Sequence, residues 1–169
     1  MKIYQITLML SLFILASCGN SNEKKEDKKE SFKINKNVEA EKKIEGVTEI
    51  LLTGNDQMRF NLKEIKVNAG DEVRLTLKHI GKLDVKIMGH NFVLLKPEVK
   101  INDFAMKAVD AKDNDYIPEN TDNVIVHTKM IGGGEQTSIS FEAPEKGVYD
   151  FICSFPGHVA LMQGKFIVE

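Results

Sequence analysis

One cysteine, one histidine and one methionine stand close together near the end of the chain. Cys153 is followed five residues on by His158 and four further by Met162. Between them lie Ser154, Phe155, Pro156, Gly157, Val159, Ala160 and Leu161. A thiolate, an imidazole and a thioether are soft to borderline donors, and together they suit copper. Singly, each has an ordinary role: a lone cysteine is a small buried hydrophobe and methionine fills cores. The case for a shared metal rests on the three occurring together in one short loop. Pro156-Gly157 turns that loop back on itself, so one point can receive all three side chains. A thiolate, two imidazoles and a weak axial methionine make a blue-copper ligand set. The second imidazole must come from elsewhere, and His90, just after Gly89, is the best candidate.

Such a loop needs strands to hold it. From Val73 to His79 the residues Val73, Leu75, Leu77 and His79 share one face, and Arg74, Thr76 and Lys78 share the other. That alternation describes a half-buried strand. The same reading predicts strands at 47–53, 62–67, 89–95, 122–128, 136–141, 147–153 and 163–168. Turn signals at residues 68–71, 132–134 and 144–147 separate several of them. About eight short strands make an all-β, antiparallel sandwich the expected architecture. Pro97-Glu98 opens one helical stretch, 98–109, with Phe104, Ala105 and Ala108 at helical spacing. It is expected to lie as a flap on the side of the sandwich. Gly132-Gly133-Gly134 lacks the residues of a phosphate cradle and reads as a hairpin turn.

The stretch from Gly54 to Glu169 resembles azurin, a family of bacterial cupredoxins. The matching pieces are Gly-Asn-Asp-Gln-Met (54–58), Met-Gly-His-Asn (88–91), His-Thr-Lys (127–129) with Ile-Gly-x-Gly-Glu (131–135), and Cys-x-Phe-Pro-Gly-His-x-Ala-Leu-Met-x-Gly (153–164). The resemblance implies a Greek-key cupredoxin sandwich or barrel that binds one copper ion and transfers electrons. It assigns His90, Cys153 and His158 as strong ligands, with Met162 and the Gly89 carbonyl as weak axial ones. Asn91 and Phe155 take supporting places around the ligands. Met58, Met88, Phe155, Pro156, Val159, Ala160 and Leu161 become an apolar docking rim. The implied partners are redox proteins such as c-type cytochromes or a periplasmic reductase. Two departures stand out. The disulfide usual in azurins is absent, because Cys18 is taken by the lipobox and Cys153 by the copper set, and Phe92 stands where the family usually has a tryptophan.

Other readings weigh less. Cys153 as nucleophile with His158 as base lacks a third orienting group and gives Met162 no role, so an enzyme is not expected. Four histidines in all are too few for a multicopper oxidase. A copper-delivery or storage lipoprotein is the alternative from a different class. His79 faces inward with Leu75 and Leu77, either as a satisfied core histidine or as a modulator of the site. His127 reads as structural or surface-exposed.

The chain has 169 residues and a formal net charge of −2, with no basic excess that would suggest nucleic acid. Residues 1–17 read as a secretory signal: Lys2, an uncharged run from Ile6 to Ala16, then Ser17 and Cys18. The run is too short to span a bilayer, which takes about 20 residues. Leu-Ala-Ser-Cys-Gly (15–19) resembles a bacterial lipobox, which implies a lipid on Cys18 and a membrane-anchored, exported protein. Residues 19–45 carry eight lysines and seven acids, too polar to form a core. Residues 18–45 are thus expected to be a charged linker, and 46–169 the folded domain.

Overall fold

The computed structural model describes residues 41–44 and 46–169, with side chains from Gly46 onward. The signal segment, Cys18 and most of the linker lie outside the described residues. Among the described residues, ten strands build two sheets, with two short α-helices beside them. The first sheet contains β1 (Glu41–Ile44), β2 (Val47–Asn55), β5 (Glu72–His79) and β8 (Gln136–Glu142), with the short β3 (Arg59–Phe60) also paired to β2. The second runs β4 (Glu64–Val67), β10 (Gln163–Val168), β9 (Gly147–Ile152), β6 (Val93–Leu95), β7 (Val124–His127).

Period-two patterning places the core as expected. Val73, Leu75, Leu77 and His79 are buried on β5, and Ile50 and Leu52 of the neighbouring β2 lie beside Leu75 and Leu77 on the same face. Phe92, Phe151 and Phe166 complete the interior. Burial of each such ring contributes about 1.5–3 kcal/mol, which makes packing the main source of stability. Cys153 is the one free cysteine among the described residues.

The structure differs from the sequence expectation in five places. Gly132-Gly133-Gly134 is no hairpin turn, because it joins β7 in the second sheet to β8 in the first. β1 lies within the segment assigned to the linker and pairs with β2. Two pairings, β2 with β5 and β4 with β10, are parallel rather than antiparallel. The chain leaves the first sheet after β3, builds β4 in the second, and returns as β5 beside β2. A crossover of this kind, unlike a hairpin, can bring a strand back in the same direction. The strand expected at 89–95 begins only at Val93, because α1 (Val85–Met88) precedes it, capped by the Asp84 carboxylate on the Lys86 N–H at 2.8 Å. Finally, the flap helix α2 spans only Ile101–Ala108, since Glu98 takes a positive φ of 67°.

The flap does pack on the side of the sandwich. Phe104 and Ala108 meet Val93, Leu95, Ile117 and Ile152 in a second cluster. β6 is therefore buried on both faces, which explains its unbroken Val-Leu-Leu run.

Candidate metal centre

Each donor is placed by a different piece of backbone. Cys153 follows the last residue of β9, and Met162 precedes the first residue of β10. These two ends are joined directly by the Cys153 N–H to the Met162 carbonyl at 2.9 Å. His158 opens a 3-10 turn, His158–Ala160, entered through Gly157 at φ 82°. That left-handed conformation strains any residue with a Cβ, so the glycine of the Pro-Gly pair sets the loop's course. His158 then accepts from the Leu161 and Met162 N–H groups at 3.0 and 2.8 Å, closing the loop. His90 enters from outside it, held by reciprocal backbone bonds with Ile131 at 2.9 Å.

His90, Cys153 and His158 are all buried, and their ligand atoms lie within 4.8 Å of one another. Cys153 Sγ is 3.7 Å from His158 Nδ1 and 3.8 Å from the Gly89 carbonyl. His90 Nε2 lies 3.0 Å from the Asn55 carbonyl, to which it can only donate. Its Nδ1 lies 2.9 Å from the Gly89 carbonyl, and a neutral imidazole has a single N–H for these two oxygens, so one ring nitrogen turns a lone pair on an acceptor. Two acceptors facing each other repel, and a cation between them removes the conflict. The donor set therefore fits copper: a sulfur, two imidazole nitrogens and a carbonyl oxygen. With a metal on Nδ1, the Nε2–H is left for the Asn55 carbonyl, the usual arrangement of an outer partner of a metal-binding imidazole.

The surroundings leave His90 little freedom. On one side its ring stacks on His79, with centroids 4.2 Å apart. Gly54, the strand neighbour of His79, also presses on the ring: a Cβ there would meet His90 Cδ2 at 2.5 Å. His79 is itself fully satisfied: it donates from Nε2 to the Met88 carbonyl at 2.9 Å and accepts at Nδ1 from Gly81 N–H at 3.0 Å. Of the two readings of His79, the structure favours the satisfied core histidine.

Asn91 joins three segments. Its side-chain amide donates to Ser154 Oγ at 2.8 Å and to the Asp115 carbonyl at 2.9 Å, and its Oδ1 accepts from Ser154 N–H at 2.9 Å. Asp115 in turn accepts from Met130 N–H at 2.8 Å. Phe155 lies against His158, centroids 4.6 Å apart, and Tyr116 from the flap lies against Phe155 at 5.3 Å. The roles of Asp115, Tyr116, Asn55 and Gly54 were not assigned from sequence. Only Gly54 and Asn55 sat in a motif, and that motif gave no role.

Burial shifts all three donors. It pushes the Cys153 thiol up to about 11, partly offset by the backbone N–H groups of Asn91 and Phe155. It lowers His158 to about 4, helped by the nearby rings of His90 and His79, and it lowers His90 also. At neutral pH the imidazoles are ready to bind, and a metal need displace only the Cys153 proton. The copper-free fold has a matching pH dependence. The unfolded His158 takes a proton near pH 6.5, the folded one only near pH 4. Stability is thus complete above pH 6.5 and falls as the pH drops toward 4. Denaturant midpoints of the copper-free chain at pH 7.5 and 4.5 check this, the lower midpoint being expected at 4.5.

The remaining residues named from sequence are less uniform. Met162 is fully buried. Met58, Met88, Phe155, Pro156, Val159 and Leu161 are half-buried, and Ala160 is exposed. The strongly exposed apolar residues near this end are instead Ile80, Leu83 and Ile87, the last 64% exposed. Their sequence segment carries no alternation that marks them. His127 is half-buried, its Nδ1 3.0 Å from the Thr128 carbonyl.

A two-sheet sandwich with a buried His-Cys-His cluster between strand ends defines a blue-copper cupredoxin with one copper site. Residues 47–169 match the family model of copper binding proteins of the plastocyanin/azurin family, and the chain belongs to that family. Azurin-1 of Alcaligenes xylosoxydans xylosoxydans is 42% identical over 120 residues, covering 67% of this chain and 91% of that protein. The outer membrane protein H.8 of Neisseria gonorrhoeae is 45% identical over 115 residues, covering 66% of this chain and only 62% of that protein's own length. Among solved structures, auracyanin A, a "blue" copper protein of Chloroflexus aurantiacus, aligns with a TM-score of 0.67 at 29% identity, covering 73% of this chain and 99% of that one.

Proposed function

We propose that the chain is an electron carrier of the cell envelope, taking and giving single electrons at copper held by His90, Cys153 and His158. Met162 and the Gly89 carbonyl serve as weak axial partners, and Asn91 and Phe155 steady the ligands. The reading is carried by the convergence of three buried donors on one point, each pinned by separate backbone. Copper supplies a one-electron Cu(I)/Cu(II) couple there. The chain's part is to keep the donors still in both states and to exclude water, so that little reorganises when an electron moves. Backbone N–H groups of Asn91 and Phe155 directed at the Cys153 sulfur favour its thiolate form.

Electrons pass where the ligand loop nears the surface. The half-buried Phe155, Pro156, Val159 and Leu161, with Met58, Met88 and exposed Ala160, form an apolar face, extended by Leu83 and Ile87. Partners are redox proteins such as c-type cytochromes or a periplasmic reductase. Residues 1–17 act as export signal, Cys18 carries the lipid anchor, and a linker before β1 gives the folded domain its reach. The likeness to a protein named for the outer membrane supports this placement.

Leu161→Asp and Ile87→Asp test the docking face. Each is expected to slow electron exchange with a c-type cytochrome about tenfold, the effect of losing ~1.4 kcal/mol at an interface, while leaving the copper spectrum intact. Unchanged rates in stopped-flow measurements count against that face. Rapid loss of copper to a mild chelator points instead to a delivery protein.

A further inference from the structure

The backbone around Met162 is held from outside the loop by one side chain. Lys63 Nζ donates to the Leu161 carbonyl at 2.7 Å and to the Gln163 carbonyl at 3.2 Å, the carbonyls of the two residues on either side of Met162. The rest of this segment is accounted for. Met162 N–H goes to His158 and its carbonyl accepts from Cys153, both toward the inside of the loop. Gln163 is paired with Ile152 in the antiparallel ladder, directly beyond the Cys153–Met162 bond. Hydrogen-bonded pairs alternate in such a ladder, so the Gln163 carbonyl faces the other edge, toward β4.

On that edge the parallel pairing with β4 starts only at Glu64 with Lys165, and the last backbone bond before it is Lys165 N–H to the Lys63 carbonyl at 2.9 Å. Among the described residues, no backbone N–H bonds the Leu161 or the Gln163 carbonyl. The Lys63 ammonium takes that place and prolongs the ladder past the strand's end. Bonds from a charged donor are roughly twice as strong as neutral ones. Burial of its tip and the nearby Arg59 lower the Lys63 pKa.

We infer that Lys63 is a positioning residue for the axial methionine: its two bonds fix the carbonyls of the residues before and after Met162 and so set how closely the thioether approaches copper. The inference rests on the reading of Met162 as axial ligand. A cation fixed beside this segment also favours Cu(I), the state of lower positive charge, and so raises the midpoint potential. Lys63 touches neither copper nor its ligand atoms; it acts through Met162.

The test compares the wild-type chain with Lys63→Met, which keeps length and loses the donor and charge, and Lys63→Arg, which keeps both. In copper-free protein, Lys63→Met is expected to raise amide hydrogen exchange at Met162 and Cys153 about tenfold, the size of one charge-assisted hydrogen bond. Loaded with Cu(II), it is expected to stay blue, with a changed intensity ratio of its thiolate-to-copper bands and a lower midpoint potential. Lys63→Arg restores all three. Should Lys63→Met prove poorly folded, Lys63→Gln is the second variant. Wild-type exchange, band ratio and potential in a folded Lys63→Met or Lys63→Gln overturn the inference. A wild-type chain that is not blue overturns the copper reading itself, whatever the variants do.

Discussion

Replacing Cys153 by Ser removes the intense visible absorption of the Cu(II)-loaded chain while leaving the copper-free fold intact. The absorption belongs to charge transfer from the thiolate sulfur, and a serine hydroxyl stays protonated at any pH the fold survives. The substitution is nearly isosteric in a fully buried position, and the Gly89 carbonyl and His158 Nδ1 remain as neighbours for the hydroxyl. Copper affinity falls by more than the ~10–100-fold that follows loss of an outer partner, since a ligand itself is gone. Absorption spectra and copper titrations of the variant check both effects. A blue Cys153→Ser protein contradicts the sulfur-centred site.

Asn91→Leu has the largest expected effect on stability. Asn91 is fully buried and makes three hydrogen bonds that join the His90 segment, the Cys153 loop and the end of the flap. A leucine matches its size but leaves the Ser154 N–H and the Asp115 carbonyl without partners. Each unsatisfied buried group costs about 1–3 kcal/mol, so a loss of ~3 kcal/mol or more is expected. The copper spectrum shifts as well, because Ser154 adjoins Cys153 and Asn91 adjoins His90. Denaturant unfolding with and without copper measures the first effect and electron paramagnetic resonance the second. Wild-type stability in the variant means that the three segments are held by packing alone.

The main strands and the metal cluster were legible because both are local signals. β5 alternates over eight residues, and the Cys153–Met162 loop carries three donors within one turn. His90 needed more than spacing, since it comes from a separate segment joined to the site by the Ile131 bridge. What stayed hidden depends on contacts between distant segments. The Asp115 carbonyl receives Asn91 across 24 positions, and Lys63 reaches Leu161 across 98. Asp115 and Tyr116 both take positive φ, at 51° and 59°, a conformation that no composition signal marked. The parallel pairings were missed for a similar reason: alternation reports which face is buried, not which neighbour a strand has. Asp84 shows the opposite case. An N-cap aspartate before α1 was readable in principle, but a helix of four residues gives too little periodicity to register.

The central claim is that copper sits on the Cys153 sulfur between two imidazoles. The most direct measurement is the optical and electron paramagnetic resonance spectrum of the folded domain loaded with one equivalent of Cu(II). An intense blue thiolate-to-copper band with a small copper hyperfine splitting is the expected result. A pale solution with an ordinary, wide hyperfine splitting would contradict it, because it would mean that the sulfur is not a ligand.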